Sequence, residues 1–221
     1  MQKTIACLIS LAAAVTIAAT AWAGRIEPRD GTLTYTMLRD GDPFGTFTCR
    51  FKNENGRLVV ELRERSAVKF AVFTLRRHEY DATEVWQGDR IVAMRAHTRD
   101  DSVFHLVELQ AHESGMTLEV DGRARDLKSD VLPASLWNRR NLEARTLIDP
   151  RDGTAMHVTA TLIGEEVVEL PAAKVPASHY RLTAEGSGNP WSREVWYDAN
   201  DRLVKVRYTD AGASMIEYHL R

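Results

Sequence analysis

The sequence predicts a mainly β protein: one strongly curved antiparallel sheet or open barrel of meanders, with one short helical interlude. Three observations lead to this prediction. Apolar and polar residues alternate through most of the chain, turn residues separate the alternating runs, and one stretch, 131–145, breaks the pattern. Alternation with a period of two places one set of side chains on one sheet face, which must be covered.

The first 23 residues are predicted to be a signal peptide. Lys3 gives the N-terminal region a positive charge, and residues 5–19 form an apolar run. Ala21-Trp22-Ala23 matches a small-residue cleavage site. The apolar run is too short for a convincing membrane span, and an uncleaved anchor is the alternative. We therefore expect a periplasmic or secreted protein with a single antiparallel β domain over residues 24–221.

Charge and hydropathy exclude several partners. The mature chain would carry 28 basic and 31 acidic residues, because only Lys3 lies in the signal, and its net charge would be −3. This near balance gives no basic face for nucleic acid. No later apolar run is long enough to span a bilayer. Only Cys49 remains after cleavage, so no intrachain disulfide can form, and its alternation with Phe47 and Phe51 favours a small buried side chain.

The first half of the mature chain is predicted to form consecutive hairpins. Asp40-Gly41-Asp42-Pro43 and Asn53-Glu54-Asn55-Gly56 are turn sequences, and Asp121-Gly122 signals another hairpin. Residues 66–73 are more apolar and less regular. In the following run, Tyr80 shares one face with both polar and apolar residues, so neither face is cleanly apolar. Strands are predicted at residues 32–39, 44–52, 57–65, 74–86, 90–98, 102–112 and 116–120.

The interlude separates this series from a second one. Pro133 is unfavourable in a central strand, and residues 141–145 could continue a short helix that begins near it. Strand character resumes at 155–170, with a turn predicted at Gly164-Glu165-Glu166 and a connection at 171–177. Further strands are predicted at residues 178–184, 194–197, 202–209 and 214–220.

Two meanders resemble each other. From Asp89 onward the first matches the second at a constant offset of 112 residues, whereas Trp86 matches Trp196 at an offset of 110. Internal duplication would give the curved sheet a pseudo-symmetric inner face. Convergent use of common hairpin sequences is the simpler explanation, and duplication is the alternative.

No residue pattern identifies a reaction. The seven histidines show no metal-ligand spacing, and the paired acidic residues at 100–101 and 165–166 suit solvated turns better than acid–base catalysis. Neither a phosphate-binding loop nor a dinucleotide fingerprint is present. We predict no catalytic residue, no metal site and no cofactor, and enzyme activity is the weakest alternative.

Large side chains on the expected inner face are either core or the lining of an apolar pocket under the interlude. Core is the simpler interpretation, and an incompletely filled sheet is the alternative. The candidate ligand-binding residues are Trp137, Leu136, Tyr80, Trp86, Trp196, Tyr208 and Tyr218.

Several segments together resemble a family of exported bacterial β proteins classed as a domain of unknown function. The similarity covers nearly the whole mature chain, and the family implies a secreted or periplasmic protein without a known reaction. More distantly, a curved sheet with a helical plug is similar to the periplasmic lipoprotein carriers. The segments are Asp40-Gly41 to Gly45, Phe70 to Tyr80, Ala134 to Asn138, Thr146 to Gly153, His179 to Arg181, and Val195 to Asp198 through Leu203 to Lys205.

These observations leave two main functional hypotheses. The first is a non-catalytic scaffold of the cell envelope that binds a lipid or another apolar or amphiphilic ligand on the concave side of the sheet. The second is a structural or interaction protein with a filled core, whose exposed edge strands bind an envelope protein. Whether the concave side is hollow or filled distinguishes them.

Overall fold

The computed structural model describes residues 31–70, 73–127, 131–186 and 190–221, and for residues 69, 70 and 73–76 it describes the backbone alone. The predicted signal peptide, residues 1–23, lies outside the described residues. The described residues form fifteen strands and a four-residue 3-10 helix, Arg139–Leu142. The strands are β1 (Gly31–Arg39), β2 (Asp42–Glu54), β3 (Arg57–Phe70), β4 (Phe73–Gln87), β5 (Arg90–Asp100), β6 (Val103–His112), β7 (Gly115–Val120), β8 (Arg123–Leu127), β9 (Val131–Pro133), β10 (Thr146–Ile148), β11 (Ala155–Glu169), β12 (Lys174–Gly186), β13 (Trp191–Asp198), β14 (Leu203–Thr209) and β15 (Met215–Leu220).

All described strands belong to one sheet, in the order β8-β7-β6-β5-β4-β3-β2-β1-β15-β14-β13-β12-β11-β10-β9. Neighbours are consecutive in the chain except β1 and β15, which pair antiparallel, and β9 pairs parallel with β10. The sheet curls into a nearly closed barrel. A hydrogen bond joins the two ends of this sheet: Nη2 of Arg125 in β8 donates to the carbonyl oxygen of Gly153, which follows β10, at 2.9 Å. The prediction of a curved sheet or open barrel of meanders is confirmed.

The strand register shows which side chains face the barrel interior. Tyr35 lies opposite Phe47, Phe47 opposite Glu64, and Glu64 opposite Tyr80. Directly opposite residues of antiparallel strands share a face, and all four side chains are buried. Cys49, two residues from Phe47, lies on the same face and is fully buried. The inner face is therefore continuous across β1 to β4.

Two predicted hairpins have the backbone that their sequences require. Asn55 and Gly56 have φ values of 52° and 76°, and Asp121 and Gly122 have 51° and 80°. A two-residue hairpin turn with positive φ at both positions matches the twist of the flanking strands, and Asn-Gly or Asp-Gly adopts it at low cost. The predicted turns are confirmed.

Residues Val131–Arg145, called the plug below, enter the barrel. Ala134, Leu136 and Trp137 are buried in the same core as the strands. The hydroxyl of Tyr197 in β13 donates to the carbonyl oxygen of Leu136 at 2.8 Å. The break in alternation thus marks the helical interlude, whose helix is one 3-10 turn rather than a segment continuing to residue 145.

Two predicted connections in the second series are wrong. The residues of the predicted turn Gly164-Glu165-Glu166 belong to β11, which absorbs an extra residue as a register shift between Leu162 and Gly164. The predicted connection 171–177 is shorter, because β12 already begins at Lys174. Pro176 is tolerated there because it lies beyond the part of β12 that pairs with β13.

The two similar meanders do not form equivalent walls. Phe104 in β6 is 62% exposed, whereas its counterpart Ile216 in β15 is 3% exposed. Trp86 packs against Trp137 inside the barrel, whereas Trp196 stacks on His179 on the outside. The pseudo-symmetric inner face that an internal duplication would give is therefore not seen, since the two similar meanders present different faces in two of their three strands.

Candidate functional site

A buried asparagine fixes the shape of the plug. Nδ2 of Asn141 donates to the carbonyl oxygen of Pro133 at 2.8 Å, and its Oδ1 accepts from the backbone N–H of Leu136 at 3.0 Å. Asn141 is 1% exposed, so water cannot replace these bonds. Leu136 has a positive φ of 61°, which the side-chain bond to its N–H helps to hold. The plug is thus a shaped loop rather than a loose cover.

We expect Asn141→Ala to lower the free energy of unfolding by about 2–4 kcal/mol, because it leaves two buried backbone groups unsatisfied. Urea denaturation measures the loss. Asn138→Ala is the matched control: Oδ1 of Asn138 accepts from the N–H of Arg140 at the start of the 3-10 helix, and loss of such a cap costs about 1 kcal/mol. Equal losses for both variants would contradict the role given to Asn141.

One buried carboxylate connects the plug to the barrel wall. Oε2 of Glu84, on the inner face of β4, accepts from Nε1 of Trp137 in the plug at 2.8 Å and from Nε1 of Trp86 at 3.0 Å. The two indole rings meet edge to face, with centroids 5.6 Å apart and planes at 85°. Phe51 in β2 packs edge-on against Trp137 at 5.3 Å. Glu84 therefore lies at the centre of an aromatic cluster.

The surroundings of Glu84 are apolar. Its cross-strand neighbours are Val60 in β3 and Met94 in β5, both buried. Burial raises the pKa of the Glu84 carboxyl to about 7, and hydrogen bonding from the two indoles and the Ser135 side chain opposes that shift only in part. The carboxyl thus changes its charge near neutral pH inside the barrel.

A pocket opens above this cluster at one end of the barrel, and we call it the end pocket. Its volume is about 580 Å³, within the range of small-molecule sites. Trp86 and Trp137 form its floor together with Phe51, and hairpin turns and the 3-10 helix form its rim. Its lining residues are Gly31, Thr32, Leu33, Phe51, Asn53, Gly56, Leu58, Trp86, Gly88, Asp89, Trp137, Asn138, Arg139, Arg140, Glu143, Asn200, Asp201 and Arg202.

Three arginines line the end pocket, and their hydrogen bonding differs. Arg139 donates to Oδ1 of Asp201 at 2.9 Å and to the hydroxyl of Tyr180 at 2.6 Å. Arg202 pairs with Oδ2 of Asp198 at 2.8 Å. In contrast, Nε and Nη1 of Arg140 are buried and find no hydrogen-bond partner among the described residues. Nε of Arg139 is also buried without a partner among these residues, but Arg139 keeps its two other hydrogen bonds, whereas two donors of Arg140 are unmet.

Four predicted ligand-binding residues border a different and much smaller space. Leu136, Tyr80, Tyr208 and Tyr218 line a cavity of about 50 Å³ between the plug and the inner wall. Glu64 lies beside it, where Oε2 accepts from the hydroxyl of Tyr218 at 3.1 Å and pairs with Nη2 of Arg151 at 3.3 Å. Such a volume suits one or two waters rather than an organic ligand. These four residues act as core here.

The prediction that Trp196 lines the inner face is wrong. Trp196 lies opposite His179 in β12 and Lys205 in β14, while its neighbour Tyr197 points into the barrel. On the outside, its ring stacks on His179 at 4.1 Å and its Nε1 donates to Glu166. Val195, Trp196 and Tyr197 are apolar and consecutive, so hydrophobicity could not identify their faces.

The predicted residues thus divide into three groups. Trp86 and Trp137 meet at the end pocket, four others surround the small cavity, and Trp196 lies outside. Sequence reasoning missed Glu84, Phe51, Arg140 and Asn141. The signal for Glu84 was its position two residues before Trp86, which places both side chains on one face of a strand. No comparable signal existed for Arg140, because the path of the plug decides its position.

The described part of the chain shows neither a metal-binding cluster nor a membrane-spanning helix. Among those residues, no group of three or more His, Cys, Asp and Glu side chains is arranged to hold a metal ion. In the same residues, no helix has the length and apolar character needed to cross a membrane.

Comparison with known proteins gives a family and a fold. The family model described as "Domain of unknown function (DUF6134)" matches residues 35–221, which confirms the resemblance to a family of unknown function. The chain is similar to the crystal structure of a β-barrel-like protein of the domain of unknown function DUF1849 from Brucella abortus. Their identity is 13%, the TM-score is 0.63, and the match covers 86% of this chain and 94% of the other. No curated protein matches the chain.

Proposed function

This chain belongs to the DUF6134 family, whose function is unknown, and we propose that it binds an amphiphilic ligand in its end pocket without catalysing a reaction. The supporting observation is the composition of that pocket. An aromatic floor of Phe51, Trp86 and Trp137 lies beneath a rim that carries the unmet donors of Arg140. An apolar body with a polar end would match both parts.

The plug changes where a ligand would bind. The concave face that the sequence analysis considered as a ligand site is largely filled, because Ala134, Leu136 and Trp137 pack into it. A space of ligand size lies above the plug, where Trp137 contributes to the pocket floor. We therefore place the ligand at the barrel end and not along the concave wall.

Arg140 favours a ligand with an anionic end. A buried guanidinium N–H without an acceptor costs free energy, and an anionic oxygen would supply a charge-assisted hydrogen bond. Arg139 and Arg202 are held by Asp201 and Asp198, so their charges are largely balanced. The ligand class is thus an amphiphile with a phosphate, sulfate or carboxylate group.

Burial of the nearby reactive groups supports binding rather than catalysis. Glu84 is 0% exposed, and one of its oxygens accepts hydrogen bonds from two indoles. Burial also raises the pKa of the Cys49 thiol well above its usual value, which keeps it protonated and poorly nucleophilic. The burial of these groups favours binding, and the predicted signal peptide would direct the chain to the envelope. We therefore propose envelope lipids with acidic headgroups as the natural ligands.

Three probes with the same alkyl chain test the proposal: dodecyl phosphate, dodecanol and dodecyltrimethylammonium, each kept below its micelle concentration. We expect dodecyl phosphate to change tryptophan fluorescence with a Kd at least about tenfold lower than that of dodecanol, the equivalent of one charge-assisted hydrogen bond. We expect the ammonium probe to bind most weakly. Arg140→Gln should remove the preference for phosphate.

Arg63→Gln is the matched control, because Arg63 is exposed on β3 and pairs with Asp81 away from the pocket. This variant should bind the three probes like the unmodified protein. Equal binding of all three probes, or a phosphate preference that survives Arg140→Gln, would refute the anionic site. Absence of binding for every probe would refute the proposed function itself.

A further inference from the structure

The two tryptophans of the end-pocket floor share one hydrogen-bond acceptor. Nε1 of Trp137 and Nε1 of Trp86 lie 2.8 Å and 3.0 Å from the same atom, Oε2 of Glu84. Each bond restrains the plane and direction of one indole, and a shared acceptor also fixes one ring relative to the other. The perpendicular packing of the rings agrees with this restraint. Trp86 belongs to the wall and Trp137 to the plug, so one carboxylate aligns two separate segments.

Within the described part of the chain, no cation offsets the charge of this carboxylate. Val60 and Met94 flank it on the neighbouring strands. The titratable groups of the described residues that interact electrostatically with Glu84 are the Cys49 thiol of β2 and the Tyr80 hydroxyl of β4, both buried and neutral at ordinary pH. The Ser135 side chain of the plug also acts on this carboxyl, although Oε1 has no partner of full hydrogen-bond geometry among the described residues. A carboxylate placed here costs stability that an apolar residue of similar size would not.

A residue that costs stability at this point must contribute something other than packing. We propose that Glu84 is the positioning residue of the end pocket, holding the indole rings of Trp86 and Trp137 in the orientation that the ligand meets. This role, which rests on the proposed function of the pocket, is carried through the two indoles and needs no contact between Glu84 and the ligand.

The positioning depends on the charge of Glu84. An ionised carboxylate accepts charge-assisted hydrogen bonds, which are shorter and about twice as strong as neutral ones. Because burial raises the pKa of this carboxyl to about 7, protonation near neutral pH weakens both bonds at once. The floor of the pocket is therefore held most firmly above this pH.

Nuclear magnetic resonance of the indole N–H groups tests the assignment without any ligand. In ¹⁵N-labelled protein, the Trp86 and Trp137 indole signals, assigned with Trp→Phe variants, should titrate together with one midpoint near pH 7. In Glu84→Gln both titrations should be lost, while both signals stay dispersed because the amide oxygen remains an acceptor. The Trp191 indole, which lies against the sulfur of Met156, is the internal control and should not follow this titration.

A second arm measures the Kd of dodecyl sulfate, whose charge stays constant, from pH 6 to pH 8. If the pocket is the site, affinity should increase across the same midpoint in the unmodified protein and not in Glu84→Gln. Separate midpoints for the two indoles, or a common titration that persists in Glu84→Gln, would overturn the positioning role even if the probe binds. Indoles that titrate as expected without probe binding would confirm the arrangement around Glu84 and refute the proposed ligand.

Discussion

Replacement of Glu84 by Gln is expected to change the pH dependence of stability by about 3 kcal/mol. Burial raises the pKa of Glu84 from 4.5 to about 7 in the folded protein. Between these values the folded state binds a proton that the unfolded state has released, so the folded state loses relative stability as the pH increases. Each unit of pKa difference is worth about 1.36 kcal/mol. The penalty is absent below pH 4.5 and complete above about pH 7.

Urea denaturation of both proteins from pH 4.5 to pH 8 measures this difference. Relative to the unmodified protein, Glu84→Gln should gain about 3 kcal/mol over the range. Burial lowers the pKa values of His179 and His219, which makes folding more favourable as the pH increases. These contributions are common to both proteins and cancel in the comparison. A difference that stays constant with pH would show that Glu84 does not titrate in the folded barrel.

Glu64→Gln provides a control of opposite sign. Glu64 is also a buried inner-face carboxylate, but it pairs with the partly buried guanidinium of Arg151 and accepts from Tyr218. Removal of its charge leaves that cation without its partner, which destabilises a folded protein. Glu64→Gln should therefore be less stable than the unmodified protein at pH 8, where Glu84→Gln is more stable.

Replacement of Trp137 by Ala is expected to cost about 4 kcal/mol of unfolding free energy, within the range for buried tryptophan. Trp137 is 6% exposed, packs edge-on against Phe51 and Trp86, and donates to Glu84. Its removal opens a cavity between plug and wall and leaves the buried carboxylate with one donor fewer. Thermal and urea denaturation at pH 8 measure the loss.

Two variants separate the contributions to this loss. Trp137→Phe keeps most of the packing but removes the indole N–H, and should cost about 1–3 kcal/mol through the weakened solvation of Glu84. Trp191→Ala removes a half-buried tryptophan that lies against Met156 and should cost clearly less than Trp137→Ala. A loss for Trp137→Ala no larger than that for Trp191→Ala would show that the plug does not stabilise the barrel.

Local sequence was sufficient for much of the fold because the chain is organised locally. Most paired strands follow one another directly, and the turns between them carry residues such as Asn55-Gly56 that adopt positive φ at low cost. The position of the plug could be recognised from Pro133 and the loss of alternation. The hydrogen bonds of Asn141 to Pro133 and Leu136 could not be predicted, since they depend on the three-dimensional path of the loop.

The candidate site was less accessible to sequence reasoning, for two physical reasons. Consecutive apolar residues around Trp196 fit either face of a strand, and charged side chains such as Glu166 and Lys205 cover this ring on the outside. Glu84 was missed for a different reason. An acidic residue is expected to face solvent, although strand periodicity places Glu84 inside the barrel with Trp86. Only the tertiary arrangement shows that two indoles donate hydrogen bonds to one of its oxygens.

The pairing of β1 with β15 has a consequence for the order of folding. Strands β1 to β8 and strands β9 to β15 each form a run of neighbours along the chain, and one strand pair, Tyr35–Arg39 with Ile216–Leu220, joins the two runs among the described residues. Closing such a long loop costs chain entropy before any contact repays it. Each half can therefore form through short-range hairpins. We expect the pairing of β1 with β15 to be the slow, late step of folding.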